Sequence, residues 1–258
     1  MNPIHSPKRY PFHSTYLHAL SVQEIVEWAH SSIQHRTAAQ LIVAGTELLV
    51  RLQRSAELRD IVNASPMICA GDHAVVLASR LHGIPVPERV TQIELVDKLL
   101  ALANQSRYRI FLVGEEPELL QSAELYIRLF YPYLQVSGAI SVWLHSHEET
   151  NALHAIARSG SDILFVALPS PERELWLHNC MHELNVPLCV GADAALDDYA
   201  ARIRHSPAWI KGTVFERLFF FARRGRHFAR SIRSCPAFLA GIVRDRRRRK
   251  RSRSAPRD

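Results

Sequence analysis

The sequence predicts an α/β fold, a mostly parallel β-sheet with helices on both faces, with a basic amphipathic helical appendage at its C-terminal end. Short apolar stretches alternate with longer stretches of helical periodicity, which is typical of parallel strands joined by crossover helices. The apolar stretches are nearly continuous, as expected for strands that helices cover on both faces. Near the C-terminal end, arginine and phenylalanine interleave at helical spacing. These patterns predict a Rossmann-like domain with an appendage.

The predicted elements begin after a stretch without periodicity. Residues 1–20 are rich in proline, histidine and tyrosine, and we expect a partly ordered N-terminal arm there. Ser21 and Glu24 have the spacing of a capping box, which predicts that a helix follows through residues 25–33. Six strands are predicted, at residues 38–45, 67–70, 109–117, 134–143, 162–171 and 186–192. Six more helices are predicted, at residues 46–61, 74–81, 92–104, 118–130, 148–159 and 173–184.

These elements divide the chain into four predicted parts. The arm covers residues 1–20 and the main domain residues 21–210. Residues 211–243 form the amphipathic appendage, and the arginine-rich tail, residues 244–258, is predicted to be disordered.

Charge is distributed unevenly along the chain. The formal net charge is +7, and most of the excess of Arg and Lys over Asp and Glu lies beyond residue 202. Such an asymmetry indicates a partner rich in phosphate, either an anionic membrane or a nucleic acid. The interleaved phenylalanines favour the membrane, since their rings enter the interface while arginines contact the headgroups. The predicted membrane-binding residues are Arg223, Arg224, Arg226, Arg230 and Arg233.

Location and cofactors are predicted mainly from motifs that the sequence lacks. The N-terminal residues have no apolar core of a signal peptide, and no stretch of 18 apolar residues occurs. The cysteines form no C-x-x-C pair, which favours buried reduced thiols in the cytoplasm. No strand is followed by G-x-G-x-x-G, so nicotinamide and flavin cofactors are not expected. His178 and His182 are four residues apart but no third ligand accompanies them, and no metal is expected.

The densest combination of signals lies in residues 68–95. An apolar strand there meets a Gly71-Asp72 turn and then a helix, so Asp72 lies at the carboxyl edge of the predicted sheet. Open α/β sheets bind ligands at that edge. Glu88 and Arg89 follow two prolines that fix φ, so Arg89 is presented from a stiff loop suited to binding an anion.

Residues 80–91 resemble the central signature of the WecG/TagA/CpsF family of bacterial glycosyltransferases. The matching residues are Arg80, Leu81, Gly83, Pro85, Glu88, Arg89, Val90 and Thr91. The resemblance covers roughly residues 41–238 and includes a second motif at residues 166–176 and a third at residues 190–210. It implies a glycosyltransferase that moves an N-acetylhexosamine-type sugar from a UDP donor to a polyprenyl-diphosphate-linked sugar, by inverting displacement without a metal.

The resemblance also implies roles for individual residues. Asp72 would be the catalytic base, and Arg89 and Arg173 would bind the donor diphosphate. Asp197 would contact the nucleotide or its ribose. Glu174 and Arg80 match motif positions and are counted with the substrate-binding residues. Alternatives stay open: Asp72 as a turn residue that bonds backbone N–H groups, Arg89 in an ion pair with Glu88, Asp197 as a helix cap, and Arg80 as a support of the fold.

Several positions depart from the family pattern. Val43, Gly45, Arg173 and Gln92 stand where the family has threonine, asparagine, glutamine and glycine, and the family's Asp-Gly order is inverted at Gly71-Asp72. The main alternative is therefore a divergent member that binds a nucleotide sugar or a partner without reacting. A basic nucleic-acid-binding protein is the third hypothesis. The predicted location is cytoplasmic, peripheral on the inner face of the cell membrane, and a homo-oligomer is compatible with the sequence.

Overall fold

The computed structural model describes residues 7–142 and 147–204. The first half of the chain forms β1 (Arg9–Phe12), β2 (Thr15–His18), α1 (Val22–Gln34), β3 (Ala39–Ala44), α2 (Thr46–Arg54), α3 (Ala56–Ala64), β4 (Met67–Ala70) and α4 (His73–Leu81). The second half forms α5 (Gln92–Ser106), β5 (Arg109–Gly114), α6 (Pro117–Phe130), β6 (Gln135–Ser141), α7 (His147–Ser159), β7 (Ile163–Ala167), α8 (Glu172–Leu184), β8 (Leu188–Gly191) and α9 (Asp193–Arg204).

The main sheet has six strands in the order β4-β3-β8-β7-β5-β6. Every pair of neighbours is parallel, which confirms the predicted α/β class with a mostly parallel sheet. Because all six strands run the same way, their carboxyl ends share one edge. The turns that follow β3, β4, β7 and β8 therefore meet there.

Helices cover both faces of this sheet, as predicted. In β7, Ile163 and Phe165 pack in a core with residues of α1, α5, α6 and α9. The alternate residues Leu164 and Val166 pack on the other face against α7 and α8, and α2, α3 and α4 continue that face beside β3 and β4. Strand side chains alternate between the faces, so nearly continuous apolar strands fill both cores.

Residues 9–18, predicted as part of a partly ordered arm, form an antiparallel hairpin of β1 and β2. Phe12 and Leu17 are fully buried in the core beside α2, α3 and α4. The strands are short, and β1 contains Pro11, so the local pattern gives little strand signal. Burial against the domain stabilises the hairpin, and such tertiary packing is not visible in local sequence.

His18 fixes the hairpin to the outer strand of the sheet. Its Nδ1 lies 3.0 Å from the backbone nitrogen of Ile68 and 3.1 Å from the Ile68 carbonyl oxygen. The imidazole therefore meets backbone groups on the side of β4 that faces away from β3. An edge strand left open would be a template for aggregation, and a covering element prevents this.

We predict that stability falls in acid partly because of His18. Burial, with a smaller contribution from the charge of Arg9, lowers the pKa of His18 below its ordinary value of 6.5. Since the unfolded chain then binds the proton more readily, this contribution is complete above pH 6.5 and is lost as the pH falls below it, by at most about 1.4 kcal/mol per unit. Urea unfolding between pH 7.5 and 5 should show a shallower pH slope in His18→Gln than in the unmodified chain. Equal slopes would contradict the assignment.

Helix boundaries follow the local rules with one exception. Ser21 and Glu24 form the predicted capping box, since Ser21 Oγ accepts from the Glu24 N–H and the Ser21 N–H donates to Glu24 Oε2. Gly83 has a φ of +76° and follows the end of α4, a position where glycine commonly ends a helix. The helix predicted over 46–61 is instead two helices, broken at Ser55, whose hydroxyl accepts from the Leu58 N–H at 3.2 Å. Serine competes with the helix backbone in this way.

Cys69, Cys180 and Cys189 are free and buried, which agrees with the predicted buried thiols. Burial raises the pKa of all three, to about 12 for Cys69 and Cys189.

Among the described residues, no helix has the length and apolarity that crossing a membrane requires. Predictions that lie outside the described residues concern residues 1–6, Cys235, the appendage at 211–243 with its five arginines, and the tail at 244–258.

Candidate functional site

Asp72 lies directly beyond β4 and is the N-cap of α4. Its Oδ1 accepts from the Val75 N–H at 2.8 Å, and its Oδ2 accepts from both the backbone N–H, at 2.6 Å, and the hydroxyl of Thr46. The Asp72 carboxylate thus caps α4 and holds Thr46, the first residue of α2. These bonds to nearby backbone N–H groups are those of the turn-residue alternative. A carboxylate has about four lone-pair sites, so three donors leave one, and the half-buried side chain stays within reach of a ligand.

The inverted Gly71-Asp72 order has a steric reason. A Cβ at position 71 would lie 2.8 Å from Val43 Cγ1 and 3.1 Å from the Ala44 carbonyl oxygen. Val43 is β-branched and stiff, so an aspartate at position 71, where the family pattern has it, does not fit here.

The loop that carries Arg89 is held at three points. Arg80 donates from Nε to the Val86 carbonyl at 3.2 Å and from Nη2 to the Pro87 carbonyl at 2.8 Å. Glu88 Oε1 accepts from the Val22 N–H at 2.7 Å, and the Val90 N–H donates to the Ala70 carbonyl at 2.9 Å. Arg80 supports this loop rather than pairing on its own helix, and the loop is braced as predicted.

Arg89 itself is exposed. Within residues 7–142 and 147–204, no side chain forms a hydrogen bond or an ion pair with its guanidinium, and Glu88 is engaged at α1 instead. The neighbouring Val90 is bonded to the last residue of β4, so Arg89 stands at the same strand end as Asp72. An unpaired guanidinium on a fixed loop suits a phosphate, which it can contact through two parallel hydrogen bonds.

Arg173 lies in the first turn of α8, beyond β7, and is only 8% exposed. Its Nε and Nη2 donate to Glu174 Oε1 at 3.2 and 2.8 Å, and its Nη1 donates to Asp193 Oδ1 at 2.6 Å and to the Leu168 carbonyl at 3.3 Å. Burial by itself lowers the pKa of Arg173, but the two carboxylates outweigh it and raise that pKa. These bonds use four of the five N–H groups of the buried guanidinium, which leaves Arg173 little capacity for a direct phosphate contact.

Two residues that motif reasoning missed complete this cluster. Asp193 begins α9 directly beyond β8, and Gln92 begins α5. Gln92 Nε2 donates to Asp193 Oδ1 at 2.6 Å, and Gln92 Oε1 accepts from the Ala194 N–H at 2.7 Å. The strand-end rule that selected Asp72 also applies to Asp193, whereas nothing in the sequence indicates the role of Gln92.

The two halves of the edge are joined by residues 89–92. Val90 is bonded to the end of β4, Gln92 is bonded to the start of α9 beyond β8, and β3 lies between those strands. At the usual strand spacing, β4 and β8 are about 10 Å apart. Arg89 and Asp72 therefore flank one side of the edge, and Asp193, Arg173 and Glu174 the other.

The remaining predicted residues lie along α9. Asp197 is exposed in the second turn, which excludes the helix-cap alternative, and it lies one turn beyond Asp193 on the same side of the helix. Tyr199 is fully buried and stacks on Tyr126 at 4.7 Å. Its hydroxyl donates to Asp97 Oδ1 at 2.6 Å, so Tyr199 is part of the packed core.

Comparison with known proteins agrees with the motif resemblance. The model of the glycosyl transferase WecG/TagA/CpsF family matches residues 10–252. A relative from Bacillus subtilis (strain 168) is 24% identical over 178 residues, 69% of each chain, and is named N-acetylglucosaminyldiphosphoundecaprenol N-acetyl-beta-D-mannosaminyltransferase. Relatives of the same name are 20% identical in Bacillus spizizenii, over 83% of this chain and 82% of the relative, and 22% identical in Staphylococcus aureus (strain NCTC 8325), over 82% of each chain.

Proposed function

Because this chain belongs to the WecG/TagA/CpsF family of glycosyltransferases, we propose that it transfers an N-acetylhexosamine-type sugar from a UDP donor to a polyprenyl-diphosphate-linked sugar acceptor. The relatives' names state both an N-acetylhexosamine and a diphosphate-linked lipid acceptor. The observation that carries the proposal is the braced loop that presents Arg89 without a partner among the described residues, at the strand end that also holds Asp72. The reaction would belong to the biosynthesis of a bacterial surface polysaccharide.

The proposed reaction is an inverting displacement. The acceptor hydroxyl oxygen forms a bond to the anomeric carbon, the bond from that carbon to the diphosphate breaks, and UDP leaves. Asp72 accepts the proton of the acceptor hydroxyl, and the three hydrogen bonds that hold its carboxylate fix the direction of the remaining lone pair. Arg89 stabilises the charge that develops on the diphosphate. The sequence contains no Asp-x-Asp sugar-nucleotide motif, and we propose transfer without a metal.

Arg89→Ala should weaken the binding of UDP by about ten- to a hundredfold. A hydrogen bond to a charged group contributes about 1.5–3 kcal/mol to binding. Because Arg89 has no side-chain partner among the described residues, its removal leaves no buried protein group unpaired. Calorimetric titration with UDP measures the effect, and Arg89→Lys should recover only part of it. Arg54→Ala is the matched control, since Arg54 is exposed at the far end of α2 and should leave the affinity unchanged. Equal affinities for Arg89→Ala and the unmodified chain would contradict this role of Arg89.

A second candidate is a member that binds a nucleotide sugar but does not transfer it. Two observations favour it: Asp72 already accepts three hydrogen bonds, and Arg173 is closed off by Glu174 and Asp193. UDP binding together with an acceptor-dependent release of UDP from the donor favours the enzyme. Binding of UDP without turnover favours the second candidate.

Peripheral binding to the inner face of the membrane is a further part of the proposal. It is supported by the arginine and phenylalanine pattern of residues 211–243 and by the lipid-linked acceptor in the relatives' names. Flotation with anionic vesicles, comparing the whole chain with residues 1–210, tests it. Equal flotation of the two would count against a role for the C-terminal segment.

A further inference from the structure

Asp193 lies beyond the carboxyl end of β8 and bonds Arg173, which lies beyond the carboxyl end of β7. We infer that Asp193 is a specificity-determining residue that accepts hydrogen bonds from hydroxyl or amide groups of the donor sugar. The inference rests on the proposed function, because it assumes a sugar nucleotide at this edge of the sheet. Asp193 lies within residues 190–210, the third motif of the family resemblance, at a position where that motif specifies no residue type. Its hydrogen bonds, and not the motif, indicate its role.

The carboxylate of Asp193 is held through one oxygen and open at the other. Oδ1 receives bonds from Arg173 Nη1 and from Gln92 Nε2, both at 2.6 Å. Its side chain is 31% exposed, and within residues 7–142 and 147–204 no group donates to Oδ2. A carboxylate oxygen fixed in direction and reachable from solvent can accept a strong, charge-assisted bond from a hydroxyl.

The charge of the cluster favours a sugar over a phosphate at this position. One guanidinium, of Arg173, faces two carboxylates, of Glu174 and Asp193. Glu174 is 1% exposed, and its Oε2 is buried without a hydrogen-bond partner among the described residues. The three charges sum to one negative charge, and of the two carboxylates only that of Asp193 is partly exposed. Asp193 therefore repels a diphosphate and attracts hydrogen-bond donors. Arg89, at the β4 end of the same edge, has the opposite preference.

Gln92 acts as a positioning residue in this arrangement. It bonds Asp193 with its amide nitrogen and the Ala194 N–H with its oxygen, so the start of α9 is fixed to the start of α5. The segment from Arg89 to Gln92 then sets the separation between the phosphate side and the sugar side of the edge. Arg173 and Gln92 both depart from the family pattern, and both bond the same oxygen of Asp193, which indicates that the two departures form one unit.

The test compares binding of UDP with binding of UDP-N-acetylglucosamine and UDP-N-acetylmannosamine, by calorimetry on the whole chain. In the unmodified chain at least one sugar nucleotide should bind more tightly than UDP. Asp193→Asn should lower that affinity about tenfold or more while the affinity for UDP changes less than about twofold. Gln92→Ala keeps the Asp193 carboxylate but removes the hydrogen bond that Gln92 donates to it. It should lower the affinity for the sugar nucleotide by a smaller factor and leave the affinity for UDP unchanged. This second variant keeps the test valid if Asp193→Asn fails to fold.

The outcomes separate the two claims. Equal losses for UDP and for the sugar nucleotides, or no loss for either, in whichever of the two variants folds, would overturn the role of Asp193 and leave the proposed function standing. Failure of the unmodified chain to bind UDP at all would overturn the proposed function and, with it, this inference.

Discussion

Asp72→Asn is expected to lower the rate of sugar transfer by about two to four orders of magnitude while the protein remains folded. Asparagine cannot accept the proton of the acceptor hydroxyl, and general base catalysis is worth about this factor. It remains a good N-cap, although one amide oxygen cannot serve both Val75 and Thr46 as the two carboxylate oxygens do. The free energy of unfolding should therefore fall by about 1 kcal/mol. Initial rates of UDP release and urea unfolding measure the two effects.

The control for this substitution is Asp60→Asn, in the exposed middle of α3. It makes the same chemical change away from the carboxyl edge and should alter neither rate nor stability. Full activity of Asp72→Asn together with a loss of stability would mean that Asp72 only caps α4 and holds α2. The base would then have to be a different group.

Arg173→Met is expected to lower the free energy of unfolding by about 3–5 kcal/mol. The guanidinium is buried between Glu174 and Asp193, and methionine, which keeps an unbranched apolar stem but no charge, leaves the buried Glu174 carboxylate without its counter-charge. Gly191 shows how closely the site is built, since a Cβ there would lie 2.5–2.7 Å from atoms of this guanidinium. Urea denaturation at neutral pH measures the loss.

A matched control is Arg128→Met, which breaks an ion pair with Glu124 on the surface of α6. Solvent weakens exposed pairs, so the cost should stay below about 1 kcal/mol. Adding Glu174→Gln to Arg173→Met should recover part of the loss, because it removes the uncompensated buried charge. Similar losses for Arg173→Met and Arg128→Met would show that the buried cluster does not stabilise the fold in this way.

The architecture could be predicted because it depends on local patterns. Nearly continuous apolar segments such as residues 163–167 are typical of strands covered on both faces, and the capping box at Ser21 and the glycine after α4 are short-range signals. The hairpin of β1 and β2 could not be predicted, because Phe12 and His18 gain their stability from residues about fifty positions away. The break at Ser55 was missed because apolar periodicity continues across it.

The site was predictable only in part, for the same reason. Arg89 is recognisable because two prolines and Glu88 lie in its own loop. The surroundings of Arg173 depend instead on Asp193, 20 residues away, and that carboxylate depends on Gln92, which is 101 residues from it. Pairings over such distances follow from the strand order, and a motif cannot show them. The contact between position 71 and Val43 belongs to the same class.

The most direct measurement of the central claim is acceptor-dependent release of UDP. The whole chain is incubated with UDP-N-acetylmannosamine or UDP-N-acetylglucosamine and a short-chain, diphosphate-linked N-acetylglucosamine lipid. We expect UDP to form only when both substrates are present, in amounts equal to the glycosylated lipid, and Arg89→Ala to abolish nearly all of it. No UDP release with either donor, from a folded chain that also fails to bind UDP, would contradict the account.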